Sequence, residues 1–169
     1  MVNTGARHNL HFWEHFTIRT AMDVFSPSKR REVMQAIRGK DTTPERLVRS
    51  MVHRSGRRFR LHDRNLPGRP DLVLAKHRTV IFVHGCFWHR HDCKLAATPK
   101  TRPKFWASKF QANVDRDRRN KTLLEEWGRR VVEIWECETR SAEALGLRLR
   151  REFPGLPVPL LPEEEASQP

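Results

Sequence analysis

The sequence predicts an α/β fold, a central mixed β-sheet flanked by helices, and three observations carry that prediction. The first is the continuous apolar run Val80-Ile81-Phe82-Val83, whose β-branched and aromatic residues suit a buried strand. The second is a hairpin signal, Leu72-Val73-Leu74 turning at Lys76-His77-Arg78 and returning from Thr79 to Val83. The third is the alternation of such runs with helical segments, in the order α-α-β-β-β-α-β-α. The chain of 169 residues suits one domain with a hydrophobic core.

Residues 1–21 have no clear period and read as an N-terminal extension, either disordered or the product of an early start codon. Met22 opens the patterned domain, which is expected to run to residue 153. Ser26-Pro27 offers a cap and a first-turn proline to a short basic helix, Ser28 to Ile37. Its Val33, Met34 and Ile37 share a face that suits the core or, beside three cations, a nucleic-acid groove. Asp41-Thr42-Thr43-Pro44-Glu45 starts a second helix running to about Ser55, with Leu47, Val48 and Met51 apolar. Thr42 and Glu45 fit the capping box, so Glu45 reads as a capping carboxylate and, compatibly, as a group near a metal.

Phe59 to Leu61 is a short strand. Leu66-Pro67-Gly68-Arg69-Pro70 is rigid turn chemistry that delivers Asp71 to the mouth of the hairpin, as a turn residue or as a metal carboxylate. Leu95 to Pro103 is a loop. Lys104 to Val114 is helical, and Asp115 to Trp127 continues or restarts it, closed by Gly128. This stretch is dense in cations: Arg116, Arg118, Arg119 and Lys121. Val131 to Trp135 is another strand with Glu136-Cys137 at its end, and Ser141 caps a last helix through Phe153. Residues 154–169 form a Pro- and Glu-rich tail, expected to be disordered.

The net charge is +13, from 33 Lys plus Arg against 20 Asp plus Glu. An excess that is mostly arginine suits a polyanion, since guanidinium forks match phosphates and guanine edges. No stretch is apolar enough to span a bilayer, and residues 1–21 lack the apolar core of a secretory signal. Three cysteines make no complete disulfide framework, so a cytoplasmic location is expected.

Those cysteines carry the sharpest chemical signal. Cys86 and Cys93 flank His91, and Cys137 ends another strand. Together they make a Cys3His set that suits tetrahedral structural zinc, with no open position for water. His84 and His89 then remain on the same loop. Phosphodiester hydrolysis needs a divalent cation, an activated water and help for the leaving oxygen. Asp71 can supply an anionic oxygen to Mg2+, His89 can take a proton from water, and His84 can orient the phosphate or share the transfer. Phe87 and Trp88 sit between the zinc ligands, and Trp106 opens the next helix. Aromatics so placed pack under the loop or slip between base steps. Lys109 and Asn113, one helical turn apart, offer a cation and an amide to base edges.

The segments Leu66-Pro67-Gly68-Arg69-Pro70-Asp71, Val80-Ile81-Phe82, His84-Gly85-Cys86-Phe87-Trp88-His89 with His91 and Cys93, Asn113-Val114, Arg116-Asp117-Arg118-Arg119 and Trp135-Glu136-Cys137 resemble the very short patch repair (Vsr) mismatch endonucleases. The resemblance runs from about Phe25 to Arg140. It implies a fold similar to restriction endonucleases, and a Mg2+-dependent nick 5′ to the T of a T:G mismatch in double-stranded DNA, left when 5-methylcytosine deaminates. It places the magnesium ligands on Asp71 and the Val83 backbone carbonyl, the catalytic histidines on His84 and His89, and zinc on Cys86, His91, Cys93 and Cys137. It places the intercalating aromatics on Phe87, Trp88 and Trp106, a glutamate near the active centre on Glu45, and a minor-groove contact on Met34. Arg90 and Asp92 depart from the family's histidine run, and the lysine usual in restriction-enzyme motifs is absent after the central strand, where the histidines replace it. A monomer is expected, with a MutL-type protein and a repair polymerase as implied partners. Two other readings stay open: a zinc-stapled DNA-binding module without catalysis, and an endonuclease cutting both strands of paired DNA.

Overall fold

The computed structural model describes Ser26, Ser28, Lys29, Glu32 and residues 39–154. Met34 and its stripe, the N-terminal extension and residues 155–169 lie outside the described residues. The described part is an α/β unit in which one four-stranded mixed sheet is flanked by helices.

Helix α1 (Thr43–Arg54) begins where the capping box places it: the Thr42 hydroxyl accepts from the Glu45 N–H, and Pro44 sits in the first turn. Strands β1 (Arg60–Leu61), β2 (Leu72–Leu74) and β3 (Thr79–His84) form an antiparallel meander. A single helical turn, α2 (Cys86–His89), leaves the end of β3. Helix α3 (Pro103–Glu126) is continuous through Asp115, so of the two readings the helix continues rather than restarts. Gly128 closes it at φ 67, donating to the Glu125 carbonyl, and an added Cβ there would meet Arg78 Nη2 at 2.6 Å. Strand β4 (Arg130–Trp135) then pairs parallel with β3, and α4 (Ala142–Glu152) ends the fold, capped by Ser141. The sheet order is β1-β2-β3-β4.

Side-chain alternation along the strands sorts the core into two layers. Leu72, Leu74, Ile81, Val132 and Ile134 pack with Val48, Met51 and Val52 of α1 and Leu145 and Leu149 of α4. Val73 and Val80 pack on the other face with Leu66 and with Leu124 of α3. The same period of two carries Asp71, Phe82, His84 and Glu133 to the α3 face. The functional candidates therefore share one side of the sheet because their strands are in register, His84 opposite Trp135 and Phe82 opposite Glu133. No helix among the described residues is long and apolar enough to cross a membrane.

Candidate active site and metal centre

A cleft of about 590 Å³ opens on the α3 face, and Asp71, His84 and His89 all line it. Asp71 arrives from the Pro67-Gly68 turn, where Gly68 at φ 72 lies so close to Asn120 of α3 that a Cβ would meet Nδ2 at 2.8 Å. Its Oδ2 accepts the Val83 N–H at 2.7 Å, which ties the carboxylate across the hairpin to the end of β3. Burial pushes the carboxyl up to about 6, Glu45 adds to the shift, and the Val83 bond opposes it.

His84, 6 % exposed, is the last residue of β3 and stacks on His89 at 4.0 Å between ring centres. Each imidazole has its own carboxylate. His89 Nδ1 lies 2.5 Å from Asp117 Oδ2 of α3, and His84 Nε2 lies 3.7 Å from Glu133 Oε1 of β4. Burial lowers the His84 pKa, with Glu133 pulling against it. His84 and then Lys121, whose Nζ is 2.7 Å from Oε2, bring the Glu133 carboxyl down to about 2. Burial raises the Asp117 pKa, but its bond to His89 and the Arg116 guanidinium bring the net shift below the usual carboxylate range. A carboxylate on Nδ1 fixes the tautomer and leaves the His89 Nε2 lone pair free to take a proton.

Asp117, Glu133 and His62 line this cleft and were given no role from the sequence, and Lys121, which also lines it, was noted only among the cations of α3. Asp117 carried a faint signal, a single acid inside Arg116-Asp117-Arg118-Arg119. Glu133 carried another, a charge between Val132 and Ile134 in a strand. His62 carried none. Glu45 also lines the cleft but is 4 % exposed, and its oxygens are committed: they accept from the Asp41 N–H, the Thr42 hydroxyl and Arg49. Its capping reading holds with one adjustment, in that the returning carboxylate takes the N–H of Asp41 rather than that of Thr42.

Beyond the cleft, α2 and the loop after it bring Cys86, His91 and Cys93 beside Cys137 at the end of β4, with one donor atom from each within 4.8 Å of the others. His91 Nδ1 lies 3.3 Å from Cys137 Sγ and 3.8 Å from Cys86 Sγ, and its ring stacks on Trp135. The Cys137 N–H points at Cys86 Sγ, and Glu136 accepts from the Cys86 N–H. Burial pushes the Cys86 thiol up to about 12, so this set would release protons on taking a cation. Three soft sulfurs and one imidazole nitrogen, converging from two elements, fit a tetrahedral ion. Arg90, noted as a departure from the family's histidine run, braces the loop through the Ala96 carbonyl, Thr98 and the Phe110 ring.

The aromatics form one cluster: Phe87 stands edge-on to Trp88, Trp106 and Phe110 at 5.0 to 5.4 Å. Trp106 is 7 % exposed and packs as a core residue here, whereas Phe87 and Trp88 are half-buried. Asn113 departs from the base-edge contact expected of it. Buried, it donates from Nδ2 to the Trp88 carbonyl and accepts Arg116 at Oδ1, which fastens the aromatic loop to α3. Lys109, Arg118 and Arg119 are exposed on α3, and Lys40, Arg64, Arg69 and Arg116 line the cleft.

Residues 22–95 match the family described as DNA mismatch endonuclease Vsr. The chain is 48 % identical over 128 residues to the type II nicking enzyme V.XorIIP of Xanthomonas oryzae, covering 76 % of this chain and 94 % of that protein. It is 43 % identical over 129 residues to V.NmeAIP of Neisseria meningitidis, covering 76 % and 92 %. It is 46 % identical over 123 residues to the DNA mismatch endonuclease Vsr of Escherichia coli, covering 73 % and 79 %.

Proposed function

The chain belongs to the Vsr family of DNA endonucleases, and on that premise we propose that it nicks one strand 5′ to the T of T:G mismatches arising from 5-methylcytosine deamination. The observation that carries this reading is the convergence of Asp71, His84 and His89 on one cleft, with His89 held by Asp117 at 2.5 Å. We read the architecture as restriction-endonuclease-like, its acid on the hairpin beside the central strand.

A hard-oxygen site at Asp71, joined by the Val83 carbonyl, suits Mg2+, because a buried carboxyl raised to about 6 is one that a cation would draw into its ionised form. When bound, Mg2+ supplies charge against the phosphoryl oxygens. The protein's own part is proton movement and placement. His89 Nε2 takes the proton of the attacking water, Asp117 holds the ring and stabilises the imidazolium, and His84, stacked on His89, orients the phosphate. Cys86, His91, Cys93 and Cys137 would hold Zn2+ as a closed staple that pins α2 to the end of β4. Phe87 and Trp88 stand at the surface of the aromatic cluster as a wedge toward the base stack, with Trp106 behind them. Lys109, Arg116, Arg118 and Arg119 take phosphates, which would set register without reading sequence.

The test is strand-resolved nicking with Mg2+ on matched and T:G duplexes labelled on each strand. The expected product is a single break 5′ to the mismatched T. Cleavage of both strands of paired DNA, or binding without hydrolysis, would overturn the reading.

A further inference from the structure

His62 lies among three carboxylates, with Asp41 and Glu45 each 3.9 Å from its Nε2 and Asp71 on its Nδ1 side, and nothing in the motif pattern assigns it a role. It sits after β1 in the left-handed region, at φ 48, a conformation that side chains other than glycine seldom adopt. Its Nε2 is 2.8 Å from Arg49 Nη2, and its Nδ1 is 3.7 Å from Asp71 Oδ1. Arg49 in turn binds Glu45 at 2.7 Å and also pairs with Asp41.

Asp41, Glu45 and His62 could by themselves be taken for a second cation site. The Arg49 guanidinium already serves as the cation of that cluster. A guanidinium only donates, so Nε2 of His62 must accept, and the proton of the neutral ring must sit on Nδ1, the nitrogen facing Asp71. The order of polarity is therefore fixed from the helix cap inward: Glu45 holds Arg49, Arg49 sets the tautomer of His62, and His62 presents an N–H dipole to the outer oxygen of Asp71. The inner oxygen is already tied to Val83. At 3.7 Å the approach is longer than a hydrogen bond, so it orients the carboxylate electrostatically.

We propose that His62 is a positioning residue for the Asp71 carboxylate, its tautomer locked by the Glu45–Arg49 pair. The proposal rests on the reading of Asp71 as the metal carboxylate. It gives Glu45 a definite place, as a residue acting through Arg49 rather than on the substrate. Partners at this remove typically change metal affinity by about 10- to 100-fold.

The test compares His62→Gln with His62→Met in the full chain. Both side chains are unbranched at Cβ, so the backbone cost at φ 48 is matched. Gln can still accept from Arg49 and donate toward Asp71, while Met can do neither. The readouts are Mn2+ affinity by electron paramagnetic resonance without DNA, and the His62 tautomer from nitrogen chemical shifts. The expected result is Mn2+ binding weaker by about ten-fold or more in His62→Met and within about three-fold of wild type in His62→Gln, with Nδ1 protonated in the wild type. Wild-type affinity in the Met variant, equal loss in both variants, or a protonated Nε2 would overturn the proposal. Asp71→Ala is the separate control. If it binds Mn2+ like the wild type, the metal reading falls and the proposal with it; if it does not, failure at His62 is failure of the proposal alone.

Discussion

The Cys-His corner and the cleft sit on either side of the single helical turn α2, and they are built in opposite ways. The corner takes three of its four donors from residues 86–93 and one from the end of β4. The cleft takes Asp71 from the hairpin, His84 from β3, His89 from α2, Asp117 from α3 and Glu133 from β4. One is a local knot closed by a single long-range strand; the other exists only when the sheet and α3 are assembled. Cys86, buried at the start of α2, fixes the turn whose other end presents His89 to Asp117. On the function proposed above, the corner positions and the cleft reacts.

Three experiments break or sharpen that contrast. The largest effect is expected from Asp71→Asn, which should abolish nicking, measured on a T:G duplex, while leaving DNA binding in place. It should also stabilise the metal-free protein. Burial raises the native pKa from 3.8 to about 6, so the native state keeps a proton that the unfolded chain has released. Wild-type stability therefore falls as pH rises between those values, by up to about 3 kcal/mol above pH 6 and by nothing below the lower one. The melting temperature of the variant should exceed that of the wild type at pH 8 and match it at the acid end. A variant that nicks would break the assignment of the cleft.

Next in size is Asp117→Asn, which keeps the shape of the pair but removes the anion that fixes the His89 tautomer. Single-turnover nicking should fall by about 10²- to 10⁴-fold with little change in DNA affinity. An unchanged rate would mean that the contact at 2.5 Å is structural only. The smallest of the three is Cys137→Ser, which should cost about 3 kcal/mol by denaturant unfolding and reduce the bound zinc found by elemental analysis. Full zinc content in this variant would remove Cys137 from the ligand set.

The same contrast explains what was readable in the chain. Cysteines are few, and a set of three with a histidine announces itself by spacing alone, so the corner was legible residue by residue. The β2–β3 hairpin, the capping box at Thr42 and Glu45, and the Ser141 cap were legible too, because each is decided within a few residues by turn chemistry or side-chain period. Asp117 and Glu133 were not, because acids in a basic helix or on a strand look like ordinary solvated charges until the sheet turns them inward. Asn113 misled for a related reason. Its spacing from Lys109 gave a shared helical face, but only packing against α2 showed that its amide is spent on the Trp88 carbonyl.

By itself the sequence determined the strands, the longer helices, the soft-donor cluster and the acid and imidazoles on which the chemistry is argued, while the short helix Cys86–His89 read as loop. These follow from local propensities and from residue types too rare to be incidental. Only the tertiary structure decided which carboxylate holds which imidazole, and that Glu45, Arg49 and His62 come together beside Asp71. Those pairings join residues from separate elements, and burial, which sets their charges, does not exist until the elements pack.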